Sequence, residues 1–192
     1  MMHFLRNPIA LAVILLVAAC AAQEPLPAKS AAVPVGVDLS GEWRLRSNSR
    51  ESNQKIRDAE REAAGPGESL VPGTSKSKSR RKPDDIQVHV FLETGESLKL
   101  TQTGYGLFVS FDRAIVEEYR FGEQRLATVG PVAAERVSGW ENGAYVIETR
   151  DKEGAMLIES YRLDNDDTMI RTVRIMHDDD VELDVTQVFD RR

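Results

Sequence analysis

The chain is poor in residues that staple or catalyse. Its 192 residues include one cysteine, Cys20. A lone cysteine closes no internal disulfide and builds no cysteine-based zinc site. Histidine is scarce: His3 lies at the N-terminus, leaving His89 and His177. Either could be set beside Ser110 or Ser138 and a carboxylate on paper. No Gly-x-Ser-x-Gly elbow is present, so no catalytic residue is expected. The neighbouring Glu117 and Glu118 would point to opposite faces of a strand, a poor basis for paired acid–base work. Positive charge is in deficit, with a formal net charge of −6, which argues against general nucleic-acid binding. Long apolar runs are also lacking. IALAVILLVAA, residues 9–19, has 11 residues, too few to cross a bilayer at about 1.5 Å per residue. The acidic stretches Asp164–Asp167 and His177–Asp180 lack the D-x-D-x-D-G spacing of a calcium loop and suit turns instead. No metal and no cofactor is expected.

What is present begins with a signal. Arg6 supplies the positive start, the apolar run follows, and Val17-Ala18-Ala19-Cys20 ends it. These four residues resemble the lipobox of bacterial lipoproteins. The resemblance implies cleavage before Cys20 and acylation of Cys20, which would anchor the chain firmly. Ala21 in place of aspartate implies an outer-membrane lipoprotein, most simply facing the periplasm.

Residues 20–37 are rich in Ala and Pro without apolar period and read as a flexible tether. The domain is expected over 38–192, opening with a strand at 38–45 in which Trp43 and Leu45 alternate with charges. A charged insertion at 47–83 interrupts it. Residues 47–64 predict a short surface helix stopped by Gly65-Pro66. Residues 65–83 carry the basic run Lys76, Lys78, Arg80, Arg81 and Lys82. That run could contact anionic head groups or be a solvated loop. Charge is split: Arg44–Lys82 carries +6 and Asp84–Arg192 carries −11. Residues 84–93 alternate like a strand but suit a short helix plugging the sheet base, and helix is preferred.

From Ser97 onward, short β-branched and aromatic segments recur between turn residues. Asn142-Gly143 is a strong signal for a two-residue hairpin. The expected fold is mainly β: an antiparallel meander of eight to ten strands closing into an up-and-down barrel. Leu98, Leu100, Gln102, Leu107, Val109 and Phe111 should face inward. So should Val181, Leu183, Val185, Gln187 and Phe189. Glu148 and Glu159 are expected outside, and Tyr105, Tyr119, Trp140 and Tyr145 could rim a mouth.

Gly41-Glu42-Trp43 resembles the Gly-x-Trp motif of lipocalins. The likeness implies that Trp43 closes the barrel base against a late arginine, here Arg191 or Arg192, and Arg191 would make a cation–π contact worth about 1 kcal/mol. The wider pattern resembles envelope proteins that open D-x-S/T-G-x-W and end F/Y-D-R. It is carried here by residues 98–102, Tyr119–Gly122, Gly139-Trp140, 146–149, 161–163 and Phe189-Asp190-Arg191.

The functional expectation is a non-enzymatic, lipid-anchored envelope protein acting as an interaction or scaffold module. The alternative is a lumen that binds a small apolar ligand or lipid, lined by Trp43, Gln102 and Gln187. In a packed core the two glutamines would instead pair with each other or with backbone.

Overall fold

The computed structural model describes residues 23–64, 87–178 and 180–192. Cys20, the signal at 1–19 and the basic run Lys76 to Lys82 lie outside the described residues.

Ten antiparallel strands form one sheet. They are β1 (Gly41–Leu45), β2 (Ser97–Gln102), β3 (Gly106–Phe111), β4 (Ile115–Arg120), β5 (Glu123–Val129), β6 (Val132–Glu141), β7 (Ala144–Arg150), β8 (Met156–Asn165), β9 (Thr168–His177) and β10 (Asp180–Arg191). The order is β4-β3-β2-β1-β10-β9-β8-β7-β6-β5. It is a meander in which β1 also pairs with β10, as Trp43 opposite Arg191 and Leu45 opposite Phe189. Turn chemistry sets the hairpins. Asn142 (φ 50°) and Gly143 (φ 79°) are both left-handed, as a type I′ turn between β6 and β7 requires.

The barrel is nearly closed, in keeping with the expected meander. β4 and β5 are joined through Phe121-Gly122 but share no ladder, so these two strands are the ends of the sheet. Side chains reach across to β4: from β5, Arg125 Nη2 donates to the Glu118 carbonyl at 3.3 Å, and from β6, Ser138 Oγ donates to the Arg120 carbonyl at 2.8 Å and Arg136 Nη1 lies 3.7 Å from Glu117 Oε2. Side-chain bonding to backbone blunts an edge without completing a ladder.

Helix α1 (Arg50–Ala64) follows a single 3-10 turn at Ser47–Ser49, and a second 3-10 turn spans Val88–Phe91. The preference for helix at 84–93 is therefore met over the described part. Both elements plug one end of the barrel. There Ile56, Val88, Phe91 and Leu92 pack with Ala127, Val132, Leu157, Val173, Ile175 and Val185. At the other end Leu39, Trp43, Leu98, Leu100, Leu107, Val109, Tyr161, Met169 and Phe189 form a second cluster.

The Ala/Pro-rich stretch is not a loose tether from Gln23 on. It climbs the outside of β6 and β7 and then folds over the end opposite α1. The Leu26 amide donates to Glu135 Oε1 at 3.0 Å. Lys29 reaches Glu148 and Glu141, at 2.7 and 3.1 Å. Ser30 and Trp140 exchange backbone hydrogen bonds in the place β5 has vacated beyond Glu123. Val33 and Val37 cover the second cluster. The sequence shows no period here because only isolated side chains are buried.

Two facing expectations are corrected. A bulge between Val181 and Leu183 inserts one extra residue, so Val181 turns out to solvent while Leu183 to Phe189 keep the inward register. Tyr119, Trp140 and Tyr145 are core residues rather than a rim, and Tyr105 alone of the four is exposed.

Candidate binding site

Between the two apolar clusters the barrel interior carries a polar layer. Its centre is Arg171 on β9, which is 0 % exposed. Residues 169, 171, 173 and 175 alternate inward along that strand, so the guanidinium is forced among core neighbours. Arg171 Nη2 donates to Glu159 Oε1 and, at 2.8 Å, to the Glu93 carbonyl; Nη1 donates to Gln187 Oε1 at 3.1 Å. The guanidinium also lies 5.1 Å from the Phe111 ring centroid and 5.6 Å from that of Tyr161. Glu159, expected outside, is buried as this arginine's partner. The same inward alternation that hides Leu157 and Tyr161 hides it.

Helix α1 is tied into the layer through Asn53. Its Oδ1 accepts from Gln187 Nε2 at 2.9 Å and from Thr94 Oγ1 at 2.5 Å. Gln187 therefore has partners on both ends. Gln102 sits elsewhere, under the N-terminal segment. Its Oε1 accepts from the Leu39 amide at 2.9 Å and its Nε2 donates to the Val37 carbonyl at 3.0 Å. The two glutamines do not meet. Trp43 is also fully buried, with Nε1 donating to the Leu39 carbonyl at 3.1 Å. These bonds tie Gln102 and Trp43 to the N-terminal segment, and the apolar side chains around Trp43 are buried.

The expected Trp43–Arg191 pair is present, with the guanidinium carbon 4.2 Å from the indole centroid. Arg191 Nη1 also donates to the Ser40 carbonyl at 2.6 Å. Gly41 (φ 153°) passes under that guanidinium, where a Cβ would stand 2.5 Å from Nη1. This explains glycine in the Gly-Glu-Trp triplet.

Toward α1 the layer widens into a set of carboxylates. A second buried arginine, Arg136, donates to Thr149 Oγ1 at 2.9 Å and faces Phe91 and Tyr119. Glu60, Glu93 and Glu117 are only partly buried. Burial first, then repulsion from Glu60, Glu117 and Glu159, pushes Glu93 up to about 7, against the pull of Arg171. Burial likewise raises Glu60. Three polar atoms here are enclosed without a well-formed hydrogen bond among the described residues: Glu60 Oε1, and Tyr161 Oη and Arg171 Nε, whose side chains lie against each other. Buried polar groups are nearly always paired, so orphans grouped in one layer mark a place where something polar fits.

Other candidates go elsewhere. Ser138 is occupied by the Arg120 carbonyl. His89 faces Glu182 at 3.8 Å. Among the described residues no group of three or more His, Cys, Asp or Glu side chains could hold a metal ion. Asn165 accepts the Asp167 amide at 3.0 Å, which is turn chemistry. A groove of about 280 Å³ lies on the outer face of β1 and β2 against Glu42, Lys99, Arg113 and Arg192, outside the lumen. Sequence reasoning missed Arg171, Arg136 and Asn53. The available signal was the inward parity of 169–175, which places a charge at an apolar position.

No protein-family model matches the sequence, and no curated protein matches it. Several solved structures are similar. A REP1-NXSQ fatty acid transporter aligns with TM-score 0.46 and 14% identity, over 81% of this chain and 96% of its own. A secretary abundant heat soluble protein from Ramazzottius varieornatus aligns with TM-score 0.47 and 10% identity, over 84% and 100%. Echinococcus granulosus fatty-acid-binding protein 1 aligns with TM-score 0.43 and 12% identity, over 80% and 96%. The barrel assignment rests on the strand pairing of this chain itself.

Proposed function

We propose that this chain is a non-catalytic binding protein of the cell envelope, acylated at Cys20, whose barrel engages a small molecule with an apolar body at the polar layer beneath α1. The observation that supports it is the fully buried Arg171–Tyr161 layer with orphaned polar atoms, beside the half-buried Glu60, Glu93 and Glu117. Ion pairing already occupies Arg171, so the ligand's polar group meets Tyr161 Oη and the carboxylates. The test is native mass spectrometry of protein purified from membranes, followed by titration with a fluorescent amphiphile. Tyr161→Phe should weaken that binding by about tenfold, roughly one hydrogen bond. A chain that carries no small molecule and binds none sinks the reading.

A second reading is supported by the buried cluster around Trp43, whose side chains pack against one another. In that reading the barrel is a scaffold, and the basic run Lys76, Lys78, Arg80, Arg81 and Lys82 meets anionic head groups. Neutralising those five residues should then abolish salt-sensitive binding to anionic vesicles. Unchanged binding removes that role.

A further inference from the structure

The N-terminal segment fixes where an anchor would hold the barrel. If residues 20–37 were a free tether, they could reach about 60 Å at roughly 3.4 Å per residue. The segment is instead docked from Gln23 onward. The Gln23 side-chain nitrogen Nε2 is 3.1 Å from where a Cβ on Gly154, in the β7–β8 turn, would stand, and the Glu24 carbonyl accepts from Arg150 at 2.5 Å. Only Ala21 and Ala22 separate Gln23 from Cys20, so that linker can span at most about 10 Å.

The end of the barrel where this segment begins is defined by topology. In a meander, alternate turns share an end. The β5–β6, β7–β8 and β9–β10 turns therefore lie together, with α1 and the Val88–Phe91 turn. The Gln87 amide bonds Asp151 Oδ2 at 2.9 Å and confirms it. The opposite end carries the Asn142-Gly143 and Asp166-Asp167 turns, Tyr105, and the lid made by Val33, Val37 and Leu39. Exposed apolar side chains at the first end include Val129, 44 % exposed before the β5–β6 turn, Val181, 51 % exposed after the β9–β10 turn, and Ile115 and Val116 after the β3–β4 turn, while Val35 and Tyr105 are exposed at the lidded end. The bulge at Val181–Leu183 is what turns Val181 outward.

We infer that the α1-capped end of the barrel, through the β5–β6, β7–β8 and β9–β10 turns with Val129 and Val181, rests on the lipid surface, and that the lidded end points away. The inference rests on acylation of Cys20. The occupant of this face is the bilayer interface, because the docked chain ends there and about 10 Å is too short to hold the barrel clear.

The test uses the full, mature, acylated chain in zwitterionic phosphatidylcholine vesicles. Acylation occupies the Cys20 sulfur, so Val129→Cys, Val181→Cys and Tyr105→Cys each present one thiol for an environment-sensitive dye. Nitroxide lipids should quench the dye at 129 and 181 at least threefold more than at 105. Inserting about 15 Gly/Ser residues after Ala22 leaves the docked segment intact and should erase the difference, because such a linker reaches tens of ångströms. Equal quenching at the three sites without the insertion, or stronger quenching at 105, overturns the orientation. Intact mass separates the two readings: an unmodified Cys20 sinks the anchor and the orientation together, whereas an acylated chain with reversed quenching sinks the orientation alone.

Discussion

Lys29 Nζ lies 2.7 Å from Glu148 Oε1, joining the N-terminal segment to a strand 119 residues away. Its side chain is only 6 % exposed, and Glu141 completes the site at 3.1 Å. Removing one partner of a mostly buried pair leaves the other charge stranded. Lys29→Ala should therefore cost about 2 kcal/mol, below the 3–5 kcal/mol of a fully enclosed pair. Hydrogen exchange gives the sharper readout. The Ser30 and Trp140 amides, which bond to each other's carbonyls, should lose protection while the β8–β9 ladder keeps it. Uniform loss across all strands would mean that the segment is no separate unit.

Arg171 and Glu159 make the second case. Both are buried, and the guanidinium has further bonds to Gln187 and the Glu93 carbonyl. Arg171→Met strands a carboxylate in the core and should cost about 3–5 kcal/mol, whereas Arg171→Met with Glu159→Leu should cost much less than the sum of the single changes. Urea unfolding of the four-member cycle measures the coupling. Additive costs would show that the pair is not coupled.

The legible part of this fold is the part written in period two. Leu98 and Leu100, Leu107 to Phe111, and Val185 to Phe189 announce their inward faces, and Asn142-Gly143 announces its turn. The Trp43–Arg191 contact was legible through a resemblance, because the motif fixes the tryptophan and narrows its partner to Arg191 or Arg192. Glu159 and Arg171 were not, since a charge at an inward position reads as a reason to turn the strand over until its partner is found on the neighbouring strand. The docking of Leu26 and Lys29 was hidden for a different reason. It depends on single contacts with residues more than 100 positions away, and no local pattern encodes them.

The Trp43–Arg191 contact has its own test. The guanidinium lies 4.2 Å from the ring centre and donates to the carbonyls of Ser40 and Asp166, each at 2.6 Å. Arg191→Ala loses a cation–π contact of about 1 kcal/mol and hydrogen bonds of about 1 kcal/mol each, so a total near 2–3 kcal/mol is expected. Arg191→Lys keeps the charge but not the planar fork, and should fall between the two. Thermal unfolding that ranks lysine equal to alanine would leave no role for the charge over the ring.

Glu93 gives a pH dependence whose sign is fixed by its direction of shift. Burial and the neighbouring Glu60, Glu117 and Glu159 raise its carboxyl from 4.5 to about 7 in the folded chain. The folded state therefore binds this proton more tightly than the unfolded state. Below pH 4.5 both states hold it and the residue contributes no difference. As pH rises from 4.5 to about 7, the unfolded chain ionises freely while the folded chain resists, so stability falls across that window and the loss is complete above it. Glu93→Gln keeps the shape and removes the titration. Its melting temperature should match that of the parent near pH 4.5 and exceed it above pH 7. A difference that does not change with pH, or one that favours the parent at high pH, would show that Glu93 is ionised at no cost in the folded barrel.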